Sequence, residues 1–403
     1  MRERIVVTGQ GAICSLGPNA QTIWANMRNG TCGIAPLELE DRGDLKVKIA
    51  AQIRDMPDRE LSRRHRSTMS KFGELAVLAA AEALEQAGLV SDETFDSTRA
   101  GSVIGTGIYG TDSVDQAYID VFRHGKKRTE IFAVPKVMPS SASVHVSMVH
   151  GLKGPVFSLA SACSSSNNAI ATALDLLRAG RADVILAGGA ETPVTYGILK
   201  AWESMRILAK TGCRPFSADR EGLVLGDGAA VVALETESHA KARGATILGE
   251  IAGAGLTADA GDIVAPDVDG ATSAMRVCLA DADLSIDDIN YISAHGTATT
   301  GNDKTETEAI KQAFGARARD IAVSSTKSMH GHCLGASGAL ELVACINAIR
   351  DSVAPPTINL TEADPECDLD YVADGARSMP IRAALSNSFA FGGSNAVIAV
   401  KGA

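Results

Sequence analysis

The segment VFSLASACSSSNNAIATALDLLRAG, at residues 156–180, contains a complete structural unit of the chain. It predicts a strand, then a tight turn of small residues, then a helix whose one face carries Ile170, Leu174 and Leu177. The segment IAVSSTKSMHGHCLGASGALELVACINAIRD, at residues 321–351, has the same order of features. Two such units indicate an internally duplicated α/β fold with strands and helices in layers.

Short apolar runs that end at Gly or Ser recur in both halves of the chain and predict the strands of a layered sheet. They alternate with helical stretches such as residues 70–86, which Gly88 would end as a C-terminal cap. The predicted strands are residues 5–7, 102–104, 156–160, 183–187, 229–234, 289–293, 321–324, 383–386 and 396–400. No long linker or low-complexity tract separates the two halves.

The composition limits the class of protein. Of 403 residues, 45% are hydrophobic, 39 are glycine and only 4% are aromatic, which suits buried strands and tight turns. The net charge of −10 gives no general field that would attract nucleic acid or anionic membranes, so we expect neither as a partner. The N-terminal sequence is too polar for a signal peptide, and no stretch reaches the roughly 18 apolar residues of a membrane span.

None of the eight cysteines has the CxxC spacing of a zinc or redox site, so we expect reduced thiols in a cytoplasmic protein. Cys163 differs from the others because it lies where a predicted strand turns into a helix. The free N–H groups and partial positive charge of the helix start would favour its reactive thiolate form. A buried cysteine in a serine-rich helix cap is the alternative interpretation.

Two histidines follow predicted strands and could reach one shared site. His295 comes after the strand at 289–293 and precedes Gly296, so its ring should project into a turn that ligands can reach. His332 lies in the glycine-rich turn of the second unit, at a position equivalent to that of Cys163 in the first. Duplication would then bring these two residues together at a pseudo-two-fold axis. For His295, a hydrogen-bonded turn residue is the alternative.

The stretch SLASACSSSNNAI, at 158–170, resembles the nucleophile segment of the β-ketoacyl-acyl-carrier-protein synthases, and the likeness covers almost the whole chain. Further matches follow in the order of that family: RIVVTGQGAICSLG at 4–17, RPFSADREGLVLGDGAAVVALE at 214–235, AHGTATTGND at 294–303, SSTKSMHGHCLGASGALE at 324–341 and NSFAFGGSN at 387–395. The pattern is most similar to the elongating type II enzymes, including nodulation-type and polyketide relatives. The resemblance implies a homodimer with a thiolase-like, five-layer αβαβα fold, its halves at 1–245 and 246–403.

The resemblance also implies a decarboxylative Claisen condensation, in which Cys163 carries the acyl chain as a thioester. His295 and His332 would donate hydrogen bonds to the charge that develops on the extender's thioester oxygen, and no metal or other cofactor would be needed. Lys327 would order the histidine region within a buried charge network. Its acidic members would be Asp303, Glu306 and Glu341, for each of which a solvated surface charge is the alternative.

The loop FAFGGSN would complete the site. The resemblance places the oxyanion hole of the acyl carbonyl at the backbone N–H groups of Cys163 and Phe391, and it makes Phe391 a gate. Gly392 and Gly393 would permit the close backbone approach. Ala390 stands where the family commonly has glycine, so the usual loop movement is in question. Without the family, a glycine turn with packed aromatic rings is the alternative.

Acyl carrier protein, a small acidic domain, is the partner that the resemblance implies. Arg206 would help to receive it, Thr297 and Thr299 would bind the substrate, and Ile108 would limit how far an acyl chain can reach. Other basic residues that could attract the carrier are Arg63, Arg64, Arg66, Lys71, Lys126, Lys127 and Arg128, although clustered charges are usually solvated surface.

Three alternative functions stay open. A thiolase would use a second cysteine, for which Cys333 is available, and coenzyme A. A non-catalytic chain-length partner would have the same fold but would typically lack the nucleophile, so retention of Cys163, His295 and His332 favours an enzyme. A metal cluster at His330, His332 and Cys333 lacks a complete ligand set of ordinary zinc spacing. His330 also stands where threonine is common in the family.

Overall fold

The computed structural model describes residues 2–40, 42–90 and 95–403, and its centre is one ten-stranded mixed sheet. All nine predicted strands are confirmed, eight of them with shifted ends and the one at 289–293 with the same ends. The sheet strands in chain order are β1 Ile5–Cys14, β2 Ala100–Gly105, β3 Val156–Leu159, β4 Val184–Glu191, β5 Gly228–Thr236, β6 Gly249–Ala258, β7 Ile289–Ser293, β8 Ala322–Ser324, β9 Ala383–Ala390 and β10 Ser394–Lys401. Two further strand pairs join Ala35–Pro36 to Ile49–Ala50 and Val353–Ala354 to Arg377–Ser378.

The strand order of the sheet shows an internal duplication. That order is β8-β7-β9-β10-β6-β1-β5-β4-β2-β3, so each half has the same topology, and each strand of the first half corresponds to the strand five numbers later. In each half the three outermost strands pair in parallel, and the third strand from the edge pairs antiparallel with the fourth. The halves join through a short antiparallel contact of β1 with β6. The predicted internal duplication is therefore confirmed.

The helices complete a five-layer order, in which the two halves of the sheet are the second and fourth layers and helices form the other three. They are α1 Ala20–Arg28, α2 Arg63–Thr68, α3 Lys71–Ala87, α4 Thr111–Tyr118, α5 Ala133–Val137, α6 Ser141–His150, α7 Ser165–Arg178, α8 Tyr196–Met205, α9 Glu237–Ala242, α10 Val268–Asp281, α11 Thr300–Phe314, α12 Lys327–His330 and α13 Ser337–Asp351. Helices α3 and α6 cover the outer face of the first half, and α10 and α11 cover that of the second. Helices α7 and α13 contact each other and strands of both halves, so they form the middle layer.

Of the ten strands of the main sheet, β6 is the one that the sequence analysis misses, and its glycines explain why. Gly253 and Gly255 interrupt the apolar pattern, because a Cβ at these positions would lie 2.5 Å and 2.0 Å from backbone atoms of the α10 region. In the first half, Gly9 and Gly11 of β1 meet α3 in the same way, at 2.0 Å and 2.1 Å. Each outer helix therefore packs directly on strand backbone, which removes the apolar side chains that mark a strand in sequence.

Cys163 and His332 lie at the crossing of the middle-layer helices. Before α7 and before α13 the chain forms a short 3₁₀ turn, and each turn begins with a left-handed residue, Ala162 at φ 50° and Leu334 at φ 42°. The topological match of Cys163 is thus Gly335, not His332, so the predicted equivalence is off by three residues. The helix starts touch, since Ala339 N–H donates to Ser166 Oγ at 3.0 Å.

The predicted division between residues 245 and 246 lies between α9 and β6, and that exact boundary stays a prediction. Among the described residues, no helix combines the length and the apolar character that crossing a bilayer requires.

A substitution at Gly189 tests how closely the chain packs where the middle-layer helices α7 and α13 begin. A Cβ at this position would lie 2.6 Å from Gly335 O and 2.8 Å from Ser166 Cβ. We expect Gly189→Ala to lower the free energy of unfolding by about 1–3 kcal/mol, as overpacked cores do. Gly212→Ala, whose Cβ would meet nothing nearer than 4.0 Å, should change it by less than about 0.5 kcal/mol. Urea unfolding measures both, and equal effects would contradict the packing argument.

Candidate active site

The structure brings Cys163, His295 and His332 together in one buried cluster. The three residues are 7%, 2% and 1% exposed, in that order. His332 Nε2 lies 3.1 Å from Cys163 Sγ, and the two imidazole rings are 5.4 Å apart at an angle of 83°. One thiol and two imidazoles therefore face a common space, although they come from three distant parts of the sequence.

Each histidine is fixed by contacts outside that space. The Nδ1 atom of His332 hydrogen-bonds Ser337 Oγ at 2.9 Å, at the start of α13. The backbone N–H groups of His295 and Gly296 donate to the two carboxylate oxygens of Glu306, both at 2.8 Å. Glu306 thus holds the turn that follows β7 and aims the His295 ring at the thiol.

Lys327 is a fully buried ammonium beside this cluster. It forms an ion pair with Glu341, which is also fully buried, so the predicted pairing of these two residues is present. Burial, and next the charge of Lys327, hold the pKa values of His295 and His332 well below the usual range. Both imidazoles are therefore neutral at physiological pH.

Asp303, a predicted member of the buried charge network, pairs with Arg220 rather than with Lys327. It lies 3.8 Å from the guanidinium of Arg220 and accepts the backbone N–H of Phe216 at 2.8 Å. Burial raises its pKa to about 6. Asp303, Glu306 and Glu341 are all fully buried, so the alternative of solvated surface charges is wrong for each.

The thiol of Cys163 is not poised as a thiolate, contrary to the sequence-based expectation. Burial raises its pKa to about 12, and neighbouring Glu191 adds to the shift. Lys327 and the backbone N–H groups of Cys163 and Phe391 act in the opposite direction but do not compensate. The start of helix α7 alone is therefore too weak to offset removal of the sulfur from water.

The loop after β9 closes over the thiol. Gly392 and Gly393 have φ values of 81° and 71°, a left-handed conformation that favours glycine. The Phe391 ring stacks on Trp202 of α8 with centroids 5.8 Å apart. Ala390, the residue in place of the family glycine, is the last residue of β9 and lines the adjoining cavity.

A cavity of about 460 Å³ leads from the cluster to the surface. Thr297 and Thr299 line it and hydrogen-bond each other through their hydroxyls at 2.9 Å, and exposed Arg206 lies at its edge. Ile108 is not in its lining. That side chain packs instead into the apolar cluster around Cys163, with Leu199 and Leu334. The predicted substrate residues therefore fall on two sides of the thiol.

His330 lies outside the central cluster, although it is two residues from His332. Its Nε2 hydrogen-bonds Thr326 Oγ1 at 2.9 Å, and burial lowers its pKa to about 3. The ligand atoms of Cys163, His295 and His332 lie within 4.8 Å of one another, a spacing that a metal ion could use. The predicted alternative cluster with His330 and Cys333 is not assembled among the described residues.

Three site features are missing from the sequence analysis. Trp202 gives no motif, because its role depends on the fold of α8 against the Phe391 loop. Asp259 binds Asn395 Nδ2 at 2.6 Å and so braces that loop from the second half. Glu191 could have been noticed as an acidic residue ending an apolar strand, in VILAGGAE.

A duplicated five-layer fold with a buried thiol and two neutral imidazoles defines a condensing enzyme of the ketosynthase class. Residues 2–240 match the family model "Beta-ketoacyl synthase, N-terminal domain" and residues 248–361 match "Beta-ketoacyl synthase, C-terminal domain". The chain belongs to the β-ketoacyl synthase family, as the sequence motifs indicated. Its thiolase-like fold and its class, an acyltransferase, are thereby confirmed.

Two groups of curated proteins illustrate the relationship. Nodulation protein E of Rhizobium sp. (strain N33) is 50% identical over 401 residues, with 100% of both chains covered. The 3-oxoacyl-(acyl-carrier-protein) synthase 2 of Synechocystis sp. (strain ATCC 27184 / PCC 6803 / Kazusa) is 40% identical over 409 residues, covering 99% of this chain and 98% of the relative.

Solved structures agree with the fold. A β-ketoacyl synthase from Burkholderia phymatum STM815 has a TM-score of 0.92 at 32% identity, with both chains fully covered. A type II polyketide acyl carrier protein in complex with its ketosynthase has a TM-score of 0.92 at 31% identity, again with full coverage. The ishigamide ketosynthase/chain length factor reaches 0.93 at 32% identity and full coverage.

The buried thiol predicts a steep pH dependence of alkylation. In a Cys32→Ser background, which removes an exposed thiol, we expect iodoacetamide to label Cys163 about ten times faster per unit of pH above about 7. The reason is that the thiolate fraction rises with pH until the pKa is reached. Peptide mass spectrometry measures the rate, and a plateau below about pH 8 would instead show a stabilised thiolate.

Proposed function

We propose that the protein catalyses decarboxylative Claisen condensation of an acyl chain on Cys163 with malonyl-acyl-carrier protein. The observation that carries this proposal is the contact of the Cys163 thiol with His332, at 3.1 Å, in a cluster shared with neutral His295. Cys163, His295, His332 and Lys327 are the residues to which we assign the reaction.

In the first half-reaction the Cys163 sulfur attacks the acyl thioester, and the carrier leaves as a free thiol. Because burial keeps the cysteine protonated, its proton must move as the C–S bond forms. The proton passes to the leaving sulfur, while the Nε2–H of His332, 3.1 Å from the Cys163 sulfur, stabilises that sulfur as it loses the proton and Ser337 Oγ donates to Nδ1. The backbone N–H groups of Cys163 and Phe391 point toward the sulfur and would bind the oxygen of the tetrahedral intermediate.

In the second half-reaction the malonyl carboxylate leaves as carbon dioxide, and its electron pair remains as an enolate. Ring N–H groups of His295 and His332 donate to the enolate oxygen. The enolate carbon then attacks the acyl carbonyl, and the Cys163 sulfur is expelled and takes up a proton. Lys327, paired with Glu341, adds to the effect of burial in keeping both imidazoles neutral.

Acyl carrier protein is the partner that we propose, because the cavity opens beside Arg206 on an otherwise acidic protein. Further exposed cations occur on α2, where Arg63, Arg64 and Arg66 lie. The carrier's arm would pass Thr297 and Thr299, whereas the acyl chain would enter on the side of Ile108.

We also propose a cytoplasmic site of action, since all eight cysteines are free thiols.

Identity to nodulation protein E, at 50%, exceeds the 40% identity to the Synechocystis synthase. We therefore propose a dedicated acyl chain of the nodulation type as the product class, rather than housekeeping fatty acids.

The chain-length partner is disfavoured because the nucleophile and both histidines are present and assembled. A thiolase mechanism is disfavoured because Cys333 contacts His330 O and not the shared space.

Substitutions at Cys163 and His332 test the thioester step and the decarboxylation step. We expect Cys163→Ala to abolish condensation, with a loss of at least about 1,000-fold, because no thioester can form. His332→Ala should lower release of carbon dioxide from malonyl carrier by about 100-fold, because one oxyanion donor is lost. Mass spectrometry of carrier-bound products and ¹⁴C-carbon dioxide release provide the measurements.

Cys333→Ala is the matched control. It removes a buried thiol next to His332, and we expect condensation to stay within about twofold of the unmodified protein. Elongation by Cys163→Ala would refute the nucleophile assignment. Loss of activity in Cys333→Ala, with a folded protein, would favour the thiolase alternative.

We propose further that two copies of the chain pair through β3. This strand is an edge of the sheet, and its residues are only half-buried, whereas the opposite edge, β8, is covered where Val323 N–H donates to Asp370 O. Unpaired edges favour strand pairing with a second chain. Exposed Phe122, Ile131 and Val134 lie in the segment that packs onto this edge through α6.

A charge introduced into that exposed segment by substitution should disrupt the proposed dimer. Val134, 71% exposed, lies on α5, and we expect Val134→Asp to shift the protein to monomer in light scattering during gel filtration. Val277→Asp, on α10 with 45% exposure, should leave the dimer intact. A monomeric unmodified protein, or identical behaviour of the two variants, would contradict this arrangement.

A further inference from the structure

Glu191 is a fully buried carboxylate that the condensation steps do not use. It ends β4, and four donors converge on it. Oε1 accepts from Ile108 N–H at 3.2 Å and from Thr106 Oγ at 3.0 Å. Oε2 accepts from Gly107 N–H at 2.5 Å and from Gly335 N–H at 3.1 Å.

The donors come from both halves of the protein. Thr106, Gly107 and Ile108 form the loop after β2, whereas Gly335 lies in the turn that leads from His332 into α13. Both glycines are required at this distance, because a Cβ would lie 3.0 Å from Oε2 at Gly107 and 2.8 Å from it at Gly335. Glu191 therefore joins two segments that border the thiol from opposite sides.

The Thr106–Ile108 loop also contacts the helix start that follows Cys163. Ser165 Oγ lies 3.1 Å from Thr106 O and 2.7 Å from Ala162 O. Ile108, at the other end of the loop, packs with Cys163 in one apolar cluster. The position of Ile108 relative to the thiol is thus set by a hydrogen-bond network whose centre is the Glu191 carboxylate.

We propose that Glu191 is a positioning residue that determines acyl-chain selection, because it holds the Ile108 loop against the turn that follows His332. The proposal rests on the condensing function given above. It assigns to a buried carboxylate a role in substrate choice, which the residue performs through Ile108 and without touching the substrate.

The amide of Glu191→Gln tests the network with minimal change in volume. An NH₂ group cannot accept from N–H donors, so it must face the Oε1 side, where the Thr106 hydroxyl can turn and accept. Ile108 N–H then loses its acceptor while Gly107 and Gly335 keep theirs. The variant therefore loosens the residue that we expect to measure the acyl chain.

Glu82→Gln is the matched control. Glu82 is likewise a carboxylate that accepts backbone N–H groups, from Ala12 at 3.0 Å and Ala20 at 2.9 Å. Burial raises the pKa values of Glu82 and Glu191 alike, to about 7. Glu82 binds β1 and the start of α1, so its amide should lower stability without any effect on substrate choice.

The experiment compares kcat/KM over a ladder of acyl-carrier substrates. We expect Glu191→Gln to change the ratio between the longest and the shortest accepted chain by about tenfold, the effect of one lost buried hydrogen bond. Glu82→Gln should keep the ratio of the unmodified protein within about twofold. An unaltered ratio in Glu191→Gln would overturn the proposal, whereas an unmodified protein that elongates no chain would overturn the condensing function instead.

A second variant and a second readout cover a poorly folded Glu191→Gln. Thr106→Val removes one donor at constant volume and should change the chain ratio in the same direction. Independently, ionised Glu191 raises the pKa of Cys163, whose other neighbours Lys327, His295 and His332 are unchanged. Above about pH 7 iodoacetamide should therefore label Cys163 about threefold faster in Glu191→Gln, and an unchanged rate would contradict the charge interaction between Glu191 and the thiol.

Discussion

The active centre depends on backbone contact between the two halves at the starts of α7 and α13. A Cβ at Gly189 would lie 2.6 Å from Gly335 O, and one at Gly335 would lie 2.4 Å from Gly107 N. Without side chains at these positions, the turn that carries Cys163 and the segment that carries His332 reach hydrogen-bonding distance. Duplication alone would give two similar halves, but only this approach makes their turns into one site.

That contact creates an electrostatic problem, because it removes every group of the site from water. Around the thiol the structure solves it with neutral groups and the Lys327–Glu341 ion pair, and Asp303 is paired separately with Arg220. The thiol stays protonated, both imidazoles stay neutral, and the only buried ammonium, Lys327, is matched by Glu341 within the described part of the chain. Removing one partner of such a pair typically costs about 3–5 kcal/mol, since an uncompensated charge remains buried.

The sequence predicts the fold and the three central residues well, because strand patterns and local motifs depend on near neighbours in the chain. It misses β6, whose apolar signal is lost to glycines that serve α10. It also expects a thiolate at Cys163, because the desolvation of the sulfur is produced by the whole fold and leaves no local signal. The partner of Asp303 gives no signal either, since Arg220 reaches it from a distant segment.

Neutral imidazoles suit the proposed chemistry better than charged ones. An imidazolium would bind the malonyl carboxylate itself, and this would stabilise the ground state and oppose loss of carbon dioxide. A neutral ring N–H interacts weakly with an uncharged thioester oxygen and more strongly as negative charge develops there, so its effect is concentrated in the transition state. Burial first, and then the charge of Lys327 that Glu341 holds beside the rings, lowers both imidazole pKa values and so keeps the site in this state. Burial together with the nearby ion pair, rather than a metal-like positive centre at the oxygen, is then what makes the two histidines effective donors.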